Sequence, residues 1–318
     1  MGGEFDNQYD VLVMVVPKDF LRLRDNYKRY SGYLPGKNIY FVGNAEVGKL
    51  VDESALGERI KWIDENTILP FDVVHKAMGE RMEGLLAGRQ LPRNITGWYY
   101  QQFLKMQYAR MCKDKYYMVW DGDTIPCRRF SMFSEDGKPY FDLKHEYHEE
   151  YFNTLAKLIP DLHKCIGKSF ISEHMLMRCD LMCEMLGEIE ESGYNGTEFW
   201  EKIIWSIDMD KIQSNSFSEF ESFGTYICLK HPDCYKLRNW NSFRYGGAFF
   251  HSDSITDSDY EWLGKDFFAI SFEKAHYVRE DHENLFNNKA YQSKLSARQM
   301  LEIAQEEFEG DSYKEVWD

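Results

Sequence analysis

Apolar and polar positions fall along the chain in a strand, helix, strand rhythm. Residues 9–16 form a β-rich apolar run stopped by Pro17, and a basic helical stretch follows. Residues 38–43 read as a second short strand and residues 68–74 as a third, a succession that predicts a parallel sheet with crossover helices. Residues 97–113 read as a helix with Tyr100, Phe103, Leu104, Gln107 and Met111 on one face. Residues 116–120 are a continuous apolar run of strand length, as expected of a strand buried on both faces. That run stops abruptly at Asp121-Gly122-Asp123-Thr124. Amphipathic helices are predicted over 151–158, 181–189 and 199–207, aromatic strands over 245–250 and 267–272, and a helical acidic tail over 295–308.

The 318 residues suit two domains or one large α/β domain, and a hydrophobic fraction of 43% supports a sizeable core rather than disorder. The longest near-continuous apolar run is far below the ~20 residues of a membrane span, and no signal-peptide pattern opens the chain. The expectation is a soluble, cytoplasmic protein with at most peripheral contact at a membrane face. A net charge of −15 makes nucleic acid an unsuitable main partner, although a metal ion can screen a diphosphate locally. The basic stretch Lys18, Arg22, Arg24, Lys28 and Arg29 reads as an ordinary solvated helix face. Seven scattered cysteines without a C-x-x-C pair fit neither a disulfide framework nor a zinc ribbon.

The chemistry concentrates at the end of the run over 116–120. In open α/β sheets the ligand crevice lies at the carboxyl ends of strands, which is where Asp121 and Asp123 fall. Two carboxylates one residue apart at a buried strand end are costly without a cation. Their natural partner is a hard divalent ion such as Mg²⁺ or Mn²⁺. Gly122 permits a tight turn, and Thr124 offers a hydroxyl to a carboxylate or phosphate. The plainer alternative is an Asx-turn at a strand terminus.

Four segments carry a family resemblance: residues 97–106 (GWYYQQFLKM), 119–124 (VWDGDT), 169–176 (SFISEHML) and 217–226 (FSEFESFGTY). Together they resemble an uncharacterised, Asp-x-Asp-containing polysaccharide-biosynthesis group of bacterial GT-A-type nucleotide-sugar glycosyltransferases. The resemblance spans roughly residues 10–230. It implies a GT-A-like α/β fold, a Rossmann-type mixed central sheet flanked by helices with helical acceptor-side insertions. The implied layout is a nucleotide-sugar-binding catalytic domain over 1–250 and a C-terminal extension over 251–318 packed on it.

By motif, Asp121 binds ribose or metal and Asp123 is the direct metal ligand. His251, at the end of the expected strand over 245–250, is the third ligand, with His276 as second choice. Gln101, Gln102 and Lys105 lie within a turn of each other and face the donor, against a plain reading as a surface stripe. Trp98 offers a ring to sugar C–H groups. Glu173 and His174 contact donor or acceptor, or are structural groups held by hydrogen bonds. Glu219 and Glu221 are the candidates for catalytic base: an extended segment would place both on one face. The alternative has Ser218 capping a helix beside ordinary acids.

The function implied is metal-dependent transfer of a hexose from a nucleoside-diphosphate sugar, UDP-sugar first, to a glycan or lipid-linked acceptor in surface polysaccharide synthesis. Mn²⁺ or Mg²⁺ is the cofactor. The rivals are a phosphatase or glycosidase using paired carboxylates and a non-catalytic carbohydrate-binding protein. A haloacid-dehalogenase pattern fits poorly, because Thr124 follows Asp123 directly. His145-Glu146-Tyr147-His148 lacks the His-Glu-x-x-His zinc spacing and reads as a polar loop or helix start.

Overall fold

The computed structural model describes residues 4–274 and 276–307. Its strands in chain order are β1 (Asp10–Met14), β2 (Ile39–Gly43), β3 (Ile60–Asp64), β4 (Tyr116–Asp121) and β5 (Thr124–Pro126), then β6 (Tyr140–Leu143), β7 (His174–Arg178), β8 (Lys236–Asn239), β9 (Ser242–Phe243) and β10 (Ala269–Ser271). Five of them build a central sheet in the order β3-β2-β1-β4-β7. β3, β2, β1 and β4 run parallel, and β7 is antiparallel to β4. β10 joins β5 antiparallel and β9 parallel in a small second sheet, and β6 pairs with β8.

Alternation along the inner strands feeds two cores, one on each face of the sheet. Leu12, Val119, Tyr117, Met175 and Met177 pack with Phe103, Met182, Ile203 and Phe223. These partners come from helices Arg93–Gln107, Cys179–Glu190, Phe199–Ser206 and Glu219–Lys230. Val11, Val13, Met118, Trp120 and Leu176 pack on the opposite face with Phe20, Val47, Tyr260, Leu263 and Met300. Strands covered on both faces have no polar side to show, which is why β1 and β4 are continuous apolar runs. The fold is a mixed α/β sheet flanked by helices, as expected.

Several expected elements differ. Residues 68–74 are not a strand: helix Glu65–Ile68 ends there, and Pro70 leads into helix Phe71–Arg81, whose buried Phe71, Val74 and Met78 follow helical spacing. The third strand is the half-exposed edge β3 instead. Residues 245–250 contain a 3₁₀ turn, Gly246–Ala248, and no strand. The helix predicted over 97–113 is Arg93–Gln107 followed by a 3₁₀ turn, and Met111 is exposed. Helix Ala297–Glu307 covers most of the expected acidic tail, whose residue 308 lies outside the described residues. The basic stretch is not one solvated face. Arg29 is buried and donates to the carbonyls of Pro126 and Cys127. All seven cysteines are free. Among the described residues no helix is long and apolar enough to cross a membrane.

Candidate functional site

Parallel pairing brings the carboxyl ends of β1, β2 and β4 to one edge of the sheet, where antiparallel β7 begins. A cleft of about 800 Å³ opens there, lined by Asp121, Gly122 and Asp123. Gly122 is required for packing: a Cβ would lie 2.7 Å from the carbonyl oxygen of Met14. Tyr27 donates to the Gly122 carbonyl at 2.8 Å, and Tyr30 and the Trp120 indole donate to that of Thr124 at 2.9 and 2.7 Å. Three buried donors thus brace the turn that carries the two acids. The Thr124 hydroxyl bonds Ser271 at 2.7 Å, tying the turn to β10.

Asp121 and Asp123 have different company. Asp121 accepts from Lys105 Nζ at 2.8 Å, and the same ammonium reaches Glu219 at 2.6 Å. Burial acts to strip the proton from Lys105, but Asp121 and then Glu219 outweigh it and raise its pKa. The Asp123 carboxyl, among the described residues, has only a long, 3.4 Å contact from Thr124. Desolvation, then the charges of Asp121 and Glu273, push its pKa up to about 7, with Glu173 adding to the push and Arg22 opposing it. Among the described lining residues Asp19, Asp121, Asp123, Glu146, Glu173, Glu219 and Glu273 face four cations, Arg22, Lys105, Arg244 and Lys274, a formal excess of three negative charges.

Among the described residues no three His, Cys, Asp or Glu side chains form a ready-made metal site. Asp121 and Asp123 nonetheless suit a hard divalent cation: oxygen donors in an acid-rich cleft, one of them a carboxyl whose neighbours resist its ionisation.

A second compartment of about 540 Å³ adjoins, lined by Val42 and Asn44 at the end of β2 and by Glu65, Phe71, Arg93 and Tyr100. Trp98 and Gln101 line both compartments. Gln102 and Lys105 line the larger compartment; Gln102 also accepts from the backbone N–H of Glu219 at 3.1 Å, and both are buried, so the surface-stripe alternative fails for them.

The segment holding Glu219 and Glu221 is helical, with Ser218 as N-cap accepting from the Glu221 N–H. The two carboxylates therefore part company. Glu219 lines the cleft, whereas Glu221 accepts from Ser169 Oγ at 2.5 Å and is absent from the lining residues. Gly224 of this helix sits against the Phe170 ring, where a Cβ would come within 2.3 Å, so two of the four motif segments are in direct contact.

His174 is a structural group: it is buried, bonded to Asp142 at 2.9 Å and to the Ser172 carbonyl at 2.8 Å. Its neighbour Glu173 does line the cleft. Glu173 adopts φ +63, a left-handed backbone uncommon outside glycine, and its carboxylate accepts from Ser242 Oγ at 3.0 Å. Its carbonyl takes the Asp121 N–H at 2.8 Å, joining it to the acidic turn.

His251 is not brought to the cleft. It is exposed and pairs with Glu283 at 3.6 Å, and the strand expected to present it is a turn. His276, against the ring of Tyr245, does not line the cleft either. Sequence reasoning missed Arg244, which pairs with Glu146 and lies 3.2 Å from Glu273, and it missed Asp19, Glu273 and Lys274. Arg22 was read as a solvated cation but lines the cleft. The polar loop at 145–148 brings Glu146 and His148 there too.

A mixed α/β sheet with an acid-lined crevice at the carboxyl ends of its parallel strands defines the structural class. The chain belongs to DUF6492, a family of unknown function, whose sequence profile matches residues 42–302. No curated protein matches the chain. Among solved structures it is similar to mouse xyloside xylosyltransferase 1 in its apo form, at 11% identity and a TM-score of 0.40, covering 85% of this chain and 99% of that one. It is similar to the mannosyltransferase Ktr4p from S. cerevisiae in complex with GDP, at 10% and 0.36, over 66% and 68% of the two chains. It is also similar to the galactosyltransferase LgtC in complex with donor and acceptor sugar analogues, at 10% and 0.39, over 90% and 100%.

Proposed function

We propose that this protein is a metal-dependent glycosyltransferase that moves a hexose from a nucleoside-diphosphate sugar to a hydroxyl of a glycan or lipid-linked acceptor. The observation that carries this is Asp123, under-partnered beside Asp121 at the end of β4, in a cleft that continues into a second compartment at the ends of β1 and β2. Two joined compartments suit a two-part ligand, nucleoside in one and sugar in the other. The motif segments support a role in bacterial surface polysaccharide assembly, with a UDP-sugar as the first donor to try.

Asp121 and Asp123 would hold Mn²⁺ or Mg²⁺, which supplies positive charge to the departing diphosphate. Lys105 pairs with both Asp121 and Glu219, holding the two carboxylates on one buried ammonium. The Glu219 carboxylate is taken up by that ammonium, and Glu221 does not face the cleft. Glu173 is therefore the carboxylate assigned to the acceptor: it takes the hydroxyl proton while the acceptor oxygen bonds the anomeric carbon and the bond to the diphosphate breaks. The strained backbone at Glu173 fits a residue held for chemistry. Trp98, at the junction, offers an apolar face to the sugar.

The test is a donor screen by nucleotide release with Mn²⁺. D123N is expected to lower turnover at least about 100-fold, as loss of a charge-stabilising group does. Full D123N activity would refute the assignment. Hydrolysis of aryl phosphates or glycosides without nucleotide would favour a hydrolase. Sugar binding that persists in chelator, without turnover of any donor, would favour a binding protein.

A further inference from the structure

The two compartments meet at a neck, where Asp19 and Lys274 line both. A nucleotide sugar joins its nucleoside to its sugar through a diphosphate, so a ligand spanning both compartments puts its phosphates at that neck. Asp19 and Lys274 stand there, with Arg22 beside them in the larger compartment, in an incomplete arrangement. Asp19 Oδ2 pairs with Lys274 at 2.7 Å. Asp19 Oδ1 lies 3.9 Å from Arg22 Nε, beyond hydrogen-bond range. That Oδ1, together with Nε and Nη2 of Arg22, is buried and has no hydrogen-bond partner among the described residues.

Buried polar atoms left unmet ask for an explanation, and here a donor pair and an acceptor are unmet side by side. The carboxylate satisfies one cation and falls short of the other. A phosphate group has more acceptor oxygens and more charge, enough to meet both. We propose that Asp19 holds, in the free protein, the seat of a phosphate group between Arg22 and Lys274, and that a diphosphate ligand binds by displacing it. Asp19 is then an internal competitor, opposing entry of any anion too weakly charged to replace it at both cations. The identity of the ligand rests on the transferase reading; the seat itself rests on these three side chains.

The test is calorimetric titration of the whole chain with sodium pyrophosphate, in chelator and without divalent cation, with orthophosphate as a second probe. D19N removes the competing charge and keeps the shape, so pyrophosphate affinity is expected to rise about tenfold. R22Q and K274Q are expected to weaken it about tenfold each, the scale of a charge-assisted contact. Orthophosphate is expected to bind more weakly than pyrophosphate and to gain less from D19N. Unchanged or weaker pyrophosphate binding in D19N overturns the seat, as does the absence of binding in every variant. Should D19N fail to melt cooperatively, K274Q at the exposed lysine decides alone, and unchanged affinity there overturns it. A protein that turns over a nucleotide sugar without the D19N gain loses the seat and keeps the transferase reading. The D19N gain without donor turnover keeps the seat and loses that reading.

Discussion

Asp142 and Asp123 are both aspartates withdrawn from water, and the structure treats them in opposite ways. Asp142, on β6, receives Arg238 at 2.6 and 2.7 Å on its two oxygens and His174 at 2.9 Å. Burial alone would raise its pKa, but the hydrogen bonds from Arg238 and then His174 prevail and hold it below the usual range. Asp123, on the turn after β4, has carboxylates for neighbours and is pushed up to about 7. One network is closed among the protein's own groups, and the other is left short of positive charge. A closed network specifies structure; an open one is what a ligand or cation completes.

The largest effect that separates the two is on folding. Asp142→Ala leaves Arg238 and His174 without their shared acceptor and is expected to cost roughly 3–5 kcal/mol, read as a lower midpoint in urea. Next comes Gly122→Ala, whose new Cβ meets the Met14 carbonyl. A cost of about 1–3 kcal/mol is expected, together with loss of donor turnover as Asp123 is displaced.

Asp123→Asn should act in the opposite sense on stability, raising it by about 1–4 kcal/mol at pH 8 while removing activity. The pH signs differ as well. Because its folded pKa is raised, Asp123 favours the native state below its unfolded value of about 4 and loses that contribution as pH rises through about 7. The D123N gain is therefore expected to be full above pH 7 and to vanish below about pH 4. Asp142, with a depressed pKa, stabilises above about pH 4, and its contribution is lost as pH falls through the lower folded value. The smallest effect is that of Ser271→Ala, which takes from the Thr124 hydroxyl its 2.7 Å partner and leaves it the long contact to Asp123, at an expected cost of about 1 kcal/mol or less.

Much of the central fold was legible because burial on both faces leaves β1, β2 and β4 with few polar positions. β3 was not: Ile60-Lys61-Trp62-Ile63-Asp64 lies at the sheet edge, half-exposed, and its mixed pattern hides it. The acidic pair was legible from its place after an apolar strand. Of the two readings of Ser218-Glu219-Phe220-Glu221, the alternation that suggested an extended segment misled, and the cap by Ser218 on the Glu221 N–H makes it a helix start with Glu219 alone in the cleft. Its Ser-x-x-Glu spacing was the available signal. Arg244, Glu273 and Lys274 carry no local signature at all. They reach the cleft from two segments more than a hundred residues beyond the acidic turn, through β10 pairing with β5 and β9 with β10, and only tertiary structure reveals them.

The central claim is that Asp123 is completed by a cation and a nucleoside diphosphate. Thermal melting of wild type and D123N with UDP or another nucleoside diphosphate, with and without Mn²⁺, tests it most directly. A nucleotide at a hundredfold excess over its Kd in Mn²⁺ should stabilise the wild type by about 2.7 kcal/mol with Mn²⁺ and by clearly less in chelator, and Mn²⁺ should add nothing to the shift of D123N. An equal shift in D123N, or no Mn²⁺-dependent shift with any nucleotide, would contradict the account.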